Sequence, residues 1–127
     1  MSHHILIADD EVMIRRLLTL ILESDGYRVT AVVDGTQMIP AMEADKPDLV
    51  ISDIMMPIMD GLAVLEELKE KPHLADVPVI IVTAAGSPAY VEEALALGAA
   101  RCIFKPFAKA EILDVVHQFL PPTTPAL

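Results

Sequence analysis

The chain has 127 residues, 54% of them apolar, and its 19 acidic side chains outnumber nine basic ones for a formal net charge of −10. That balance excludes a surface built to wrap nucleic acid, which needs clustered Lys and Arg. Membrane insertion is excluded too, because the long uncharged stretch from Val77 to Val91 is broken by Pro78, Gly86 and Pro88.

No cationic and apolar leader opens the chain, and its single cysteine, Cys102, precludes an internal disulfide and fits a reducing cytoplasm. One domain is expected over residues 1–120, with a Pro/Thr tail or the start of a linker over 121–127. His4 to Ala8 reads as a first strand ending on Asp9-Asp10. Glu11 to Ser24 follows with helical spacing, placing Ile14, Leu17, Leu18, Ile21 and Leu22 on one face up to a stop at Gly26. Arg28 to Val33 is a second strand. Asp34 can cap a helix over Thr36 to Ala44, and Pro40 should delay or kink it. The third strand, Asp48 to Asp53, ends on a carboxylate before a Met-Met-Pro turn, and Gly61 opens a helix to Lys71 with Leu62, Leu65 and Leu68 inward. Val77 to Thr83 is a fully buried strand. Ser87-Pro88 then starts a helix to about Leu97, stopped by Gly98. Arg101 to Phe104 is a short strand, and Ala108 to Leu120 a helix with Ile112, Val115, Val116 and Phe119 on one side.

Five strands alternating with five helices predict an α/β domain, a parallel sheet covered on both faces. Periodicity leaves the strand order open. Such sheets bind ligands beyond the carboxyl ends of their strands. Asp9-Asp10, Asp53, Thr83 and Lys105 all fall there. Each has a bland role available: helix cap, turn residue, loop hydroxyl, surface charge. Together they carry more. Three carboxylates on one edge repel one another unless a cation sits between them. Oxygen ligands without His or Cys favour a hard ion such as Mg²⁺. A lysine opposite supplies a point charge for a phosphate oxygen. Elsewhere His3 and His4 read as a surface pair, His73 and His117 as isolated surface residues, and Met55, Met56 and Met59 as packing.

The motifs D-D-E, D-I-M-M-P-I-M-D-G, T-A and K-P-F, in that order over residues 4–120, resemble those of a two-component response-regulator receiver domain. The resemblance implies a flavodoxin-like, doubly wound (βα)5 fold with strand order 2-1-3-4-5. It implies a cytoplasmic, phosphorylation-controlled switch in which Asp53 accepts a phosphoryl group from a histidine kinase or phosphotransfer protein. In this reading Asp10, Asp53 and the Met55 carbonyl hold Mg²⁺, and Asp9 acts mainly through water. Thr83 and Lys105 hold phosphoryl oxygens, the latter beside a cis Lys105–Pro106 bond. Output is expected through the face from Ser87 to Phe119, toward a downstream protein or an effector domain outside this chain. Two positions depart from the family. Cys102 stands where an aromatic switch residue is usual, with Phe104 two residues further on. Output is therefore expected to rest on helix-four displacement rather than a ring swing. Ile58 replaces a usual glycine. Met55 and Ala85, two residues beyond Asp53 and Thr83, cannot orient a hydrolytic water, so a persistent phosphoryl group is expected. Two alternatives compete: a pseudo-receiver that only binds partners, and a Mg²⁺-dependent aspartyl phosphohydrolase, whose D-x-D-x-T pattern on strand one is missing here.

Overall fold

The computed structural model describes residues 3–84 and 88–121. Among these residues ten elements alternate: β1 (His4–Ala8), α1 (Val12–Ser24), β2 (Arg28–Val32), α2 (Gly35–Ala44), β3 (Leu49–Ser52), α3 (Gly61–Lys69), β4 (Val79–Ala84), α4 (Pro88–Ala96), β5 (Arg101–Lys105) and α5 (Lys109–Phe119). The strands pair in parallel in the order β2-β1-β3-β4-β5. This is the flavodoxin-like arrangement. Parallel strands need crossover helices on the sheet faces, so the central strands are buried on both sides and their sequences read as unbroken apolar runs.

The two-residue period of each strand divides the core. Leu6, Val50, Val79 and Ile81 point to α2, α3 and α4, where Met38, Met42, Leu65, Leu68 and Ala94 close over them. Ile5, Ile7, Ile51, Ile80, Val82 and Ile103 point the other way, to Leu18 and Leu22 of α1 and Ile112 and Val116 of α5. Each fully buried aliphatic side chain contributes about 1.5–3 kcal/mol, so the two layers dominate the fold's cohesion.

Several local expectations change. α1 starts at Val12, with Glu11 as its cap residue, and Leu17 is 43% exposed, so the buried stripe narrows to Leu18, Ile21 and Leu22. α2 starts at Gly35 and runs through Pro40; Asp34 caps it by accepting from the Thr36 N–H at 2.7 Å. The carbonyl deprived of a partner by the proline belongs to Thr36, and both residues are exposed. His4 is no surface residue: it lies in the inner strand β1, 3% exposed, with Nε2 2.8 Å from the Thr30 hydroxyl. His117 is paired with Asp25 at 2.7 Å, and His73 with Glu43 at 2.9 Å. Of the three turn methionines, Met56 and Met59 pack inward, whereas Met55 is 60% exposed. Ser87, Ala85 and residues 122–127 of the tail lie outside the described residues. Among the described residues, no helix is long and apolar enough to cross a membrane.

Candidate functional site

The sheet pairing itself assembles the acidic cluster. Ala8 is in register with Ser52, and the Asp53 N–H donates to the Ala8 carbonyl at 2.9 Å, one step past the ladder. Asp9 continues β1 in the same way, donating its N–H to the Val32 carbonyl at 3.2 Å. Two adjacent parallel strands therefore end on carboxylates side by side. The side chains of Asp9, Asp10 and Asp53 each bring an oxygen within 4.8 Å of the others. Asp9 and Asp53 are 1% and 5% exposed, while Asp10 faces solvent.

Backbone donors fix the two buried carboxylates. Asp53 Oδ1 accepts from the N–H groups of Ile54 at 2.7 Å and Met55 at 3.3 Å; Asp9 Oδ1 accepts from the Glu11 N–H at 2.9 Å. The remaining oxygens meet Lys105. Its Nζ lies 2.8 Å from Asp53 Oδ2, 2.8 Å from Asp9 Oδ2 and 3.0 Å from Glu11 Oε1. Lys105 ends β5, in register with Ala84, and the Lys105–Pro106 peptide is cis.

One ammonium does not balance this cluster. At 4.8 Å two carboxylate charges repel by about 3.5 kcal/mol at an effective dielectric near 20. Burial pushes the Asp9 carboxyl above the usual carboxylate range, against the pull of Lys105 and the Glu11 N–H. Burial alone would push the Lys105 ammonium down, but hydrogen bonds to Asp53, Asp9 and Glu11 outweigh it and hold the group above the ordinary lysine range.

Thr83, 6% exposed, lies near the end of β4 in register with Phe104, and Cys102 is level with Ile81. Cys102 is partly buried against the α2–α3–α4 layer, and burial pushes its thiol up. Phe104 is 45% exposed. The loop after β3 is braced by two glycines. The Gly61 N–H donates to the Ile54 carbonyl at 2.8 Å, and an added Cβ there would lie 2.4 Å from the Asp53 carbonyl oxygen. The Gly35 N–H donates to the Met59 carbonyl at 2.9 Å, where a Cβ would lie 2.3 Å from that same oxygen. Between them Ile58 holds a φ of +70°.

Sequence reasoning selected Asp9, Asp10, Asp53 and Lys105, which converge, and Thr83 and Met55, which lie at neighbouring strand and loop positions. It missed Glu11 and Gly35. Glutamate after two aspartates reads as a helix start. Gly35 reveals its role only through a long-range approach to the loop after β3.

Comparison with known proteins gives the same picture. Residues 5–117 match the response regulator receiver domain family. The chain is 36% identical to sporulation initiation phosphotransferase F of Bacillus subtilis, over 95% of this chain and 96% of that protein. It is also 36% identical to chemotaxis protein CheY of the same organism, over 94% and 99%. Against other relatives, such as the probable transcriptional regulator ycf27 of Cyanophora paradoxa (39% identity), it covers 91% of itself and 47% of the relative; the chain thus spans about half the length of such proteins. Among solved structures, it superposes on the signal receiver domain of a histidine kinase from Syntrophus aciditrophicus with a TM-score of 0.87 at 34% identity, covering 99% and 97% of the two chains. The receiver domain of sensor histidine kinase PA1611 from Pseudomonas aeruginosa, crystallised with magnesium coordinated in its active-site cleft, gives 0.86 at 28% identity over 94% and 98%. With its strand order, its acidic edge and its lysine in place, the chain belongs to the response regulator receiver domain family of two-component signalling.

Proposed function

We propose that this chain is a Mg²⁺-dependent phosphoacceptor switch, with Asp53 taking a phosphoryl group from a phosphohistidine on a histidine kinase or phosphotransfer protein. The observation that carries the reading is Lys105 Nζ 2.8 Å from both Asp53 and Asp9, inside a triad of carboxylates within 4.8 Å of one another. Such a donor set, oxygen only and short of positive charge, fits a small hard cation. Asp10, Asp53 and the Met55 carbonyl would hold it directly, with Asp9 acting mainly through water. When bound, the ion neutralises charge shared between the acceptor and the incoming phosphoryl group.

The chain's own residues do the rest. Backbone N–H groups of Ile54 and Met55 hold the Asp53 carboxylate in one orientation, so the nucleophile is positioned before a donor arrives. One Asp53 oxygen forms the new O–P bond as the P–N bond of the phosphohistidine breaks, and the electron pair returns to the imidazole nitrogen. Lys105 then serves a phosphoryl oxygen, and the Thr83 hydroxyl serves another. Placing the reaction in the cytoplasm agrees with the lone cysteine and with its donors. Output is assigned to the face formed by α4, β5 and α5.

Incubation with acetyl phosphate and Mg²⁺, followed by intact-mass measurement, tests this. One added phosphoryl group is expected on the wild type and none on Asp53→Asn. Cys102, in place of the usual aromatic, is the feature that favours a pseudo-receiver; no mass gain on the wild type would select that reading. Sustained turnover of a phosphate ester would select the phosphohydrolase.

A further inference from the structure

The Glu11 side chain is free of the local duty its position suggests. As the cap residue of α1 it makes no side-chain hydrogen bond to the helix, and the cap turn is closed instead by Asp9 Oδ1 accepting the Glu11 N–H. Its carboxylate reaches across to Lys105, 3.0 Å away. A lysine ammonium has three N–H donors and no more. Three carboxylates crowd this one: Asp53 and Glu11 accept hydrogen bonds at 2.8 Å and 3.0 Å, and Asp9 Oδ2 forms an ion pair at 2.8 Å. Lys105 is thus hemmed in by protein carboxylates before any phosphoryl oxygen arrives.

The three claims are unequal. The Asp53 and Asp9 side chains are 7% and 2% exposed, and stripping a donor from either leaves a buried charge unsatisfied. Glu11 is 61% exposed, so water replaces the lysine on its carboxylate at small cost. We infer that Glu11 is a positioning residue, the exchangeable third partner that parks Lys105 in the resting state and surrenders its donor to the incoming phosphoryl oxygen. Glu11 thereby opposes phosphorylation twice, by occupying that donor and by placing a negative charge beside an anionic group. It favours the cation for the same electrostatic reason. This inference rests on the phosphoacceptor reading above.

Beryllofluoride, a phosphoryl mimic, and Mg²⁺ alone are the probes, with dissociation constants measured by titration calorimetry on wild type, Glu11→Gln and Glu11→Asp. For Glu11→Gln, beryllofluoride at saturating Mg²⁺ is expected to bind about two- to fivefold tighter, the range of an exposed ion pair, while Mg²⁺ alone binds weaker by a similar factor. A residue that merely supported the fold would move both constants the same way. Glu11→Asp keeps the charge but is one methylene too short for Lys105, so the mimic should tighten while the Mg²⁺ constant stays within error. Unchanged or weaker beryllofluoride binding by both variants overturns the inference. Failure of the wild type itself to bind the mimic or accept phosphoryl overturns the phosphoacceptor reading instead.

Discussion

Replacing Ile58 by glycine is expected to stabilise the protein. Ile58 sits in the loop between β3 and α3 with φ at +70°, and the Met59 N–H donates to the Pro57 carbonyl at 2.7 Å across it. That is a γ-turn of the strained kind, and a β-branched residue is poorly suited to its centre. Such a residue costs about 1–3 kcal/mol. The side chain is 85% exposed, so truncation forfeits only about 0.3 kcal/mol of burial. Glycine's greater freedom in the unfolded chain takes back about 0.5–1 kcal/mol. The balance is a gain of about 1 kcal/mol, or about 3–5 °C in Tm for a domain of this size. Thermal unfolding in EDTA measures it, with Ile58→Ala as the control, since alanine keeps the Cβ and should show little gain. A Tm for Ile58→Gly at or below the wild type, or an equal rise for Ile58→Ala, refutes the strain argument.

Gly61→Ala places a Cβ 2.4 Å from the Asp53 carbonyl oxygen and should cost about 1–3 kcal/mol, read by chemical denaturation, with weaker Mg²⁺ binding because that backbone carries Asp53, the proposed acceptor. Asp9→Asn should raise the Tm of the metal-free protein at pH 7. The folded Asp9 value is raised, so its ionised form opposes folding, and that penalty fades as pH falls through the folded value toward the ordinary 3.8. The advantage of the variant should shrink over that window in a Tm-against-pH series. Lys105→Met should do the opposite, losing about 3 kcal/mol by stranding buried carboxylates. The lysine's raised value keeps its contribution intact below the ordinary 10.5, to be lost only as pH climbs through the folded value. With Met55 beside Asp53 and Ala85 beyond Thr83, phosphoryl label on purified protein in Mg²⁺ buffer should persist; rapid loss would refute it. Cys102→Ala should leave the phosphorylation-dependent change in amide exchange across α4 intact; its abolition without unfolding would assign the switch to the cysteine.

The architecture was legible because the inner strands β1, β3 and β4 announced themselves by apolar runs, β2 by weak alternation, and the helices by their spacing or their cap and stop residues. The order of the strands was not, since periodicity says which face is buried and never which neighbour is paired; the family motifs supplied it, and the ladders agree. Asp53 was legible as the one carboxylate closing the buried run Leu49–Ser52. The misses share a cause. His4 reads with His3 as a surface pair, but β1 is an inner strand, so even its first residue is covered. Leu17 fitted the helical stripe by spacing, but a helix over a sheet buries a narrower band than spacing alone suggests. Glu11 and Gly35 act on partners far along the chain, and no window of sequence contains both ends of those contacts.

What unites the site is a shortage of positive charge. Four carboxylates, those of Asp9, Asp10, Asp53 and Glu11, stand around or beside one ammonium. A cluster selected for stability alone would have replaced one of the buried pair by an amide, which keeps the backbone hydrogen bond and sheds the repulsion. Under the proposed metal-dependent reading, retaining both would make the metal-free fold weaker and the cation tighter, because relief of the same repulsion would drive binding. The two quantities must therefore trade against each other. Across Asp9→Asn and Asp10→Asn, each variant that gains Tm in EDTA should lose Mg²⁺ affinity, and the Tm curves of wild type and variant should approach or cross as Mg²⁺ is added. A variant that gained both would mean that the carboxylates are held apart by something other than their charge, and the electrostatic account of the site would fail with it.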